Sequence, residues 1–365
     1  MYVRVKSAIS IKELANQVKL NEQLLVDCNP DIRNNDFIKE DTTICLPDAC
    51  IDYIPNSLYI EYDDSQEKSQ AILTKKPYDS VELERDIEKL TLMYPFINKN
   101  VIGYSVLNKP IYELTFGHGK KKIHMNGAFH ANEWITTSVI MHWLQDYLKA
   151  IVDGKHLGGH SCLELYHDTT LSVVPMVNPD GVDLVLNGLP DTIEYEPALL
   201  QMNDLSIDFS QWKANIRGID LNNQYPAKWE IEKARKRPKA PAPRDYPGDA
   251  PLTEPEAVAL AELVKNNQFD RVLAFHTQGE EIYWGYLRKE PEEAETIVKE
   301  FVKHSGYKAV RDIDSHAGFR DWFVNDWRKA GYTIELGMGE NPLPFDQFDD
   351  IYRKSKGIFL AALYM

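Results

Sequence analysis

Four short runs rich in β-branched residues alternate with amphipathic segments of helical length, and this alternation constrains the chain most. The runs are Lys122 to Ala128, Thr170 to Val177, Arg271 to Phe275 and Tyr332 to Leu336. Helical patterns cover Trp134 to Ala150, Glu254 to Gln268, Pro291 to Ser305 and Gly318 to Lys329. Apolar strands separated by helices need a sheet covered on both faces. The pattern therefore predicts an α/β fold with a mixed, mostly parallel sheet flanked by helices. Open sheets of this kind bind ligands beyond the carboxyl ends of their strands, so chemistry-bearing side chains are sought there.

They occur at those places. His130-Ala131-Asn132-Glu133 follows the first run, His276 follows Phe275, and Glu335 follows Ile334. An HxxE pair alone is weak, and a lone His or Glu after a strand is usually a solvated or hydrogen-bonded side chain. Jointly the four read as a site. Two histidines and one carboxylate, His130, Glu133 and His276, are a ligand set for one Zn2+ that leaves a fourth position for water, whose pKa then falls to roughly 7. Glu335 is the carboxylate left to act as general base and later as proton donor.

Composition narrows the remaining classes. The 365 residues suffice for two domains, and the 43% hydrophobic content supports a sizeable core. A formal net charge of -15 argues against a partner held through bulk positive charge, so no nucleic acid is expected. No apolar run is long enough to span a bilayer. Met1 to Lys6 lacks the apolar core of a secretion signal. The expected location is the cytoplasm, or the spore or cell wall reached without a signal peptide. Cys28, Cys45, Cys50 and Cys162 have no zinc-finger or redox spacing and read as free thiols.

The first fifty residues read strand, helix, helix, strand: Tyr2 to Val5, a helix entered at Ser10 with Glu13 three residues on, Glu22 to Asp27, and Ile44 to Pro47. Val5, Ser10-Ile11, Glu13-Leu14-Ala15, Leu25, Asn29-Pro30, Ile38 and Ile44-Cys45-Leu46-Pro47 make this segment resemble a LysM domain, which implies N-acetylglucosamine-containing glycan as a partner. Ala8-Ile9 departs from the usual Gly-Asp of the first loop; a docking or scaffold module is the alternative. The expected organisation is 1–48 for this module, 49–77 for a linker and 78–365 for a catalytic domain. The linker contains the polar Asp63 to Gln70 and an alternating Leu58 to Tyr62 that reads as an extra strand. An amphipathic helix from Tyr78 to Tyr94, capped by Asp79 or Ser80, opens the catalytic domain, and a hairpin follows, Val101 to Val106 with Ile111 to Phe116.

Six separated motifs make the chain from about Tyr78 onward resemble the zinc carboxypeptidase family: His130-Ala131-Asn132-Glu133, Val174 to Gly181, Gly218-Ile219-Asp220-Leu221-Asn222, Thr253-Glu254-Pro255-Glu256, His276 and Glu335. Physically, Asn178-Pro179-Asp180-Gly181 reads as a turn and Thr253 to Glu256 as a helix capping box. The resemblance implies that Asp220 supports a ligand histidine through its second ring nitrogen. It departs from the family where an Arg would grip a terminal carboxylate: Asn222 is kept, but Asn223 stands in the Arg position and cannot make the bidentate clasp. For the cation that polarises the scissile carbonyl, Lys213 after Trp212 and Arg217 remain as rivals. The family's Tyr that closes over the substrate has no counterpart within Asp314 to Trp322, which leaves His316 as a substitute.

The stretch Trp212 to Pro226 resembles the bacterial γ-D-glutamyl-L-diamino acid endopeptidases, whose pairing with a LysM module implies a peptidoglycan stem peptide as substrate. In that reading Asn222, Asn223 and nearby charges receive diaminopimelate, and Arg217, Lys213 or Arg320 meets the free carboxylate of D-Glu. Arg235 to Arg244 reads as an exposed connector, or as an attractive rim for acidic peptides. A conventional metallocarboxypeptidase and a non-catalytic glycan-binding scaffold are the alternatives.

Overall fold

The computed structural model describes residues 1–33, 35–61 and 72–365; the polar Asp63 to Gln70 lies outside the described residues. Five short strands occur in the N-terminal segment: β1 (Tyr2–Val5), β2 (Ile9–Ser10), β3 (Phe37–Ile38), β4 (Thr43–Cys45) and β5 (Leu58–Glu61). Helices Ile11–Gln17 and Glu22–Asp27 lie between β2 and β3. Ser10 caps the first by accepting from the Glu13 N–H, as its sequence suggested. β1 is the central strand, flanked by β4 and β5, both antiparallel. The stretch read as a linker therefore supplies a strand of the N-terminal sheet, and the module runs past residue 48. Leu58 is buried there, which is the burial that the alternation in this stretch anticipated.

Among the described residues one large sheet follows. Its strands are β6 (Asn98–Tyr104), β7 (Pro110–Gly117), β8 (Lys121–Gly127), β11 (Thr169–Val174), β12 (Arg271–Thr277), β13 (Glu281–Trp284), β14 (Lys308–Arg311) and β15 (Ala330–Leu336). A small hairpin, β9 (His156–Leu157) with β10 (His160–Ser161), lies apart from it. The order across the large sheet is β14-β13-β15-β12-β8-β11-β7-β6. β15, β12, β8 and β11 run parallel at its centre, and antiparallel pairings begin at β7 and at β13. The four runs identified in the sequence are this parallel centre. Burial on both faces made them continuous apolar stretches, whereas β13 and β14 are short strands toward one edge.

Helix Ile135–Val152 covers one face. Against it packs the C-terminal helix Phe348–Tyr364, which the sequence reading did not identify. Phe359 of that helix stacks on Trp143 at 4.9 Å and on Phe275 at 4.3 Å between ring centroids. Phe275 immediately precedes His276, so this packing supports a site-bearing strand. Truncating such a ring costs roughly 3–5 kcal/mol. Two other sequence readings are corrected here. Asn178 does not close a turn but caps helix Pro179–Asn187 through the Gly181 N–H. Glu254 precedes helix Pro255–Asn267 with no side-chain cap, because Thr253, the Glu254 N–H and the Glu254 carboxylate are engaged by Gln224 and Asn215 instead.

The N-terminal module docks at the amino end of β8. Asp27, buried at the close of helix Glu22–Asp27, accepts from Tyr166 Oη at 2.8 Å and pairs with His118 in the turn between β7 and β8. His130 lies beyond the opposite end of β8. The module therefore anchors on the far side of the sheet from the strand ends that carry the site.

Candidate metal centre and active site

Register brings the site residues together. His276 and Glu335 are paired neighbours on β12 and β15, and Phe275 pairs with Gly127 at the end of β8. His276 and Glu335 thus sit in the final residues of their strands rather than after them. Past Gly127 the chain turns sharply. A Cβ on Gly127 would lie 2.7 Å from Ile140 and 3.0 Å from Thr136 Oγ1, so only glycine lets β8 approach the helix so closely. Thr136 then locks the turn, accepting from the Ala128 N–H and donating to the Glu133 carbonyl, both at 2.8 Å. Glu133 ends a short 3-10 turn, Ala131–Glu133, and is held pointing inward.

Glu133 stands between the two histidines. Its Oε1 is 2.8 Å from His130 Nδ1, and its Oε2 is 2.9 Å from His276 Nδ1. Ligating atoms of all three residues lie within 4.8 Å of one another. His130 Nε2 faces Asp220 Oδ1 at 3.2 Å, which sets the proton on Nε2 and turns the Nδ1 lone pair inward. Asp220 also accepts from the Asn222 and Asp245 N–H groups at 3.1 and 3.3 Å. Burial works against its ionisation, but His130 and the neighbouring lysines hold its carboxyl well below the usual range.

The donor set fits a divalent cation. Burial pushes the His276 ring down, more than the Glu133 charge raises it, so it stays neutral. A neutral ring can give Glu133 Oε2 the Nδ1 proton or turn the Nδ1 lone pair to a cation, and its other ring nitrogen, Nε2, is buried without a hydrogen-bond partner among the described residues. Burial also penalises a charged His130, but Glu133 and Asp220 overcome that and raise it to about 9. Three converging acceptors that recruit a proton in this way are arranged for a cation.

Lys213 Nζ lies 3.0 Å from Glu133 Oε1. Burial disfavours its charge, yet the Glu133 carboxylate keeps its pKa raised. Arg217 is directed elsewhere: its guanidinium faces Glu254 at 3.6 Å, and it lines no cavity at the centre. Glu335 is set deep beside the ligands. Burial first, and then the Glu133 charge, hold its carboxyl well above the ordinary carboxylate range.

Two cavities meet at Glu335 and Tyr283. The larger, about 430 Å³, holds His130, Glu133, Lys213, Arg244, Gln278 and Asn341 among its lining residues. The smaller, about 100 Å³, is lined by Asn222, Ser315, Gly318, Arg320, Asp321 and Thr333 as well. Arg320 and Asp321 are buried and paired there, and Arg320 also donates to the Gly285 carbonyl at 3.2 Å.

The remaining sequence candidates are placed by the same geometry. Asn223 is buried and is not among the residues lining either cavity, whereas Asn222 lines the smaller one. His316 is turned away, its Nδ1 against Tyr286 Oη at 3.0 Å and its ring packed on Tyr286. The aromatic side chain at the junction is instead Tyr283, from β13. Tyr283 was not identified from the sequence, and Arg244 only as one end of the basic Arg235 to Arg244 segment. The Arg235 to Arg244 segment is largely exposed, as a connector would be, but its C-terminal end is tied down. The Lys213 and Ala214 N–H groups both donate to the Pro243 carbonyl, at 2.8 and 2.9 Å, which seats the segment against the centre.

The description "Zinc carboxypeptidase" belongs to the family model that matches residues 83–356. The chain belongs to the zinc carboxypeptidase family. It is 53% identical over 288 residues to gamma-D-glutamyl-L-diamino acid endopeptidase 1 of Lysinibacillus sphaericus, covering 79% of this chain and 72% of that one. It is 52% identical over 294 residues to the uncharacterized protein YqgT of Bacillus subtilis strain 168, covering 80% and 78%. Thrombin-activatable fibrinolysis inhibitor shares the fold, with a TM-score of 0.64 at 19% identity over 83% of this chain and 79% of that one. The protein is a zinc metallopeptidase, and His130, Glu133 and His276 form the group able to hold its one zinc ion. Among the described residues no helix is long and apolar enough to cross a membrane.

Proposed function

We propose that this zinc carboxypeptidase-family chain hydrolyses the γ-D-glutamyl–meso-diaminopimelate bond of peptidoglycan stem peptides. The relative from Lysinibacillus sphaericus, whose name describes cleavage of this bond type, supports the reading. The observation that carries it is the smaller cavity. Its buried Arg320 and Asp321 offer a cation and an anion side by side. That pairing suits a leaving group bearing both an ammonium and a carboxylate on its side chain, as diaminopimelate does. Asn222 lines the same cavity.

Zinc held by His130, Glu133 and His276 would acidify a water and polarise the scissile carbonyl. Glu335 accepts the water's proton on its carboxylate and returns it to the leaving amine, which departs toward the smaller cavity. Lys213 Nζ, kept charged beside Glu133, stabilises the developing oxyanion. Asp220 holds His130 in the tautomer that presents Nδ1. The N-terminal module is proposed to bind N-acetylglucosamine-containing glycan.

The test is release of diaminopimelate from L-Ala-γ-D-Glu-meso-diaminopimelate by zinc-loaded protein, with and without a chelator. Chelator-sensitive release is expected; no release, or release that ignores the chelator, refutes the proposal. A conventional carboxypeptidase is the second reading, favoured by Arg320 as a buried cation for a terminal carboxylate. Amidating the C-terminal carboxylate of an α-linked peptide would abolish cleavage under that reading.

A further inference from the structure

We infer that Arg244 is the side chain that recognises the free α-carboxylate of the glutamate on the acyl side of the scissile bond. The inference rests on the γ-glutamyl reading above. In a γ-linkage the α-carboxylate of the acyl-side glutamate is free. A cation on the acyl side can pair with that carboxylate.

On that reading the amine half takes the smaller cavity, with Arg320 and Asp321, and Glu335 stands where the two cavities meet. The acyl half is left with the larger cavity, where the metal ligands, Lys213 and Arg244 lie. The other charges lining that cavity are committed or anionic. Lys213 is held by Glu133 at 3.0 Å, and Glu340 is a carboxylate. Arg244 differs. Its Nε donates to Asp245 Oδ2 at 3.2 Å, and its terminal nitrogens carry no hydrogen bond among the described residues.

Arg244 is also anchored, unlike an ordinary surface arginine. On one side of it, the Pro243 carbonyl accepts from the Lys213 and Ala214 N–H groups. On the other, the Asp245 N–H donates to Asp220 Oδ2 at 3.3 Å, and Lys236 holds Asp245 Oδ1 at 3.0 Å. The two residues that bracket Arg244 are thus tied to the residue that stabilises the oxyanion and to the residue that orients His130. The Asp245 carboxylate, through Nε, leaves the outer edge of the guanidinium facing outward for a bidentate partner.

The experiment uses the zinc-loaded full chain and two substrates: L-Ala-γ-D-Glu-meso-diaminopimelate, and the same peptide with the α-carboxylate of D-Glu converted to the carboxamide. The wild type is expected to prefer the carboxylate in kcat/KM by roughly 10- to 100-fold, the worth of a charge-assisted hydrogen bond. Arg244→Gln is expected to narrow that preference to about twofold, and Arg244→Lys to keep an intermediate one. Half-exposed Arg244 allows both variants to fold, and an unchanged melting temperature and zinc content would establish that they do. A wild type that prefers the carboxylate while Arg244→Gln keeps the full preference overturns the assignment of Arg244 and leaves the functional reading standing. Equal cleavage of both peptides by the wild type also overturns it. Cleavage of neither overturns the γ-glutamyl reading, and this inference with it.

Discussion

Replacing Asp220 by Asn changes no volume but removes a charge and one acceptor. In the structure Oδ1 serves His130 Nε2 at 3.2 Å and the Asn222 N–H at 3.1 Å, while Oδ2 serves the Asp245 N–H at 3.3 Å. An Asn that keeps its oxygen on His130 presents an amide donor to the Asp245 N–H. Flipped, it satisfies Asp245 and loses His130. Either way one partner is left facing a donor. Loss of a group that orients a metal-binding histidine weakens metal affinity by roughly 10- to 100-fold, about 1.4–2.8 kcal/mol. Proton competition modifies this. The Asp220 charge helps raise His130 to about 9, against the effect of burial, so at pH 7 the wild type must expel a proton to bind metal. Asp220→Asn lowers that barrier. The loss of zinc affinity should therefore be larger at pH 9 than at pH 7. Competition titration against a chromogenic chelator at both pH values measures it. An unchanged zinc Kd at both would refute the role given to Asp220.

Three further outcomes follow from the same geometry. Glu335→Gln should retain full zinc content by atomic absorption while kcat falls roughly 10²-fold or more, since only the proton carrier is removed; near-normal turnover would take Glu335 out of the mechanism. Lys213→Ala should lower kcat by about 10²- to 10³-fold, whereas Arg217→Ala, whose parent side chain faces Glu254, should leave steady-state kinetics nearly unchanged; the reverse order would reassign the oxyanion donor. Glu256 lies fully buried, and burial, with Asp180 and Glu254 adding, raises its carboxyl from 4.5 to about 7. The unfolded chain releases this proton near 4.5 and the folded chain near 7, so the group is neutral in both states at low pH and costs stability as pH rises through that window. The cost approaches roughly 3 kcal/mol above pH 7. Glu256→Gln should thus raise chemical-denaturation stability at pH 8 relative to wild type more than at pH 4, and equal differences at the two pH values would count against it.

The catalytic line of this protein was legible because its members are local to strands. His130 and Glu133 share one turn, and His276 and Glu335 end runs whose two-sided burial makes them conspicuous. Strands Tyr2–Val5 and Thr43–Cys45 and the Ser10 cap were readable for the same reason, whereas the two-residue strands Ile9–Ser10 and Phe37–Ile38 and the Asn21 cap were not. Elements that depend on distant partners were not. The helix Phe348–Tyr364 gave no signal strong enough to place it beneath Phe275, although Phe359 stacks there. Leu58–Glu61 alternates, but only its pairing with β1 makes it part of the N-terminal sheet.

Recognition was decided almost wholly by tertiary structure. Sequence order placed Asn223, His316 and Arg217 near the motifs. The fold buries the first away from both cavities, turns the second onto Tyr286 and directs the third to Glu254. It brings in Tyr283 from an antiparallel strand and Arg244 from a proline-rich segment that looked like a connector. Ligand chemistry is written in residue type and short spacing, so the sequence alone determined the α/β class and the group able to hold zinc, and it offered Glu335 as the candidate base. A cavity wall is assembled from segments far apart in the chain, and which side chain faces inward depends on packing and backbone hydrogen bonds. Only the folded chain could decide that.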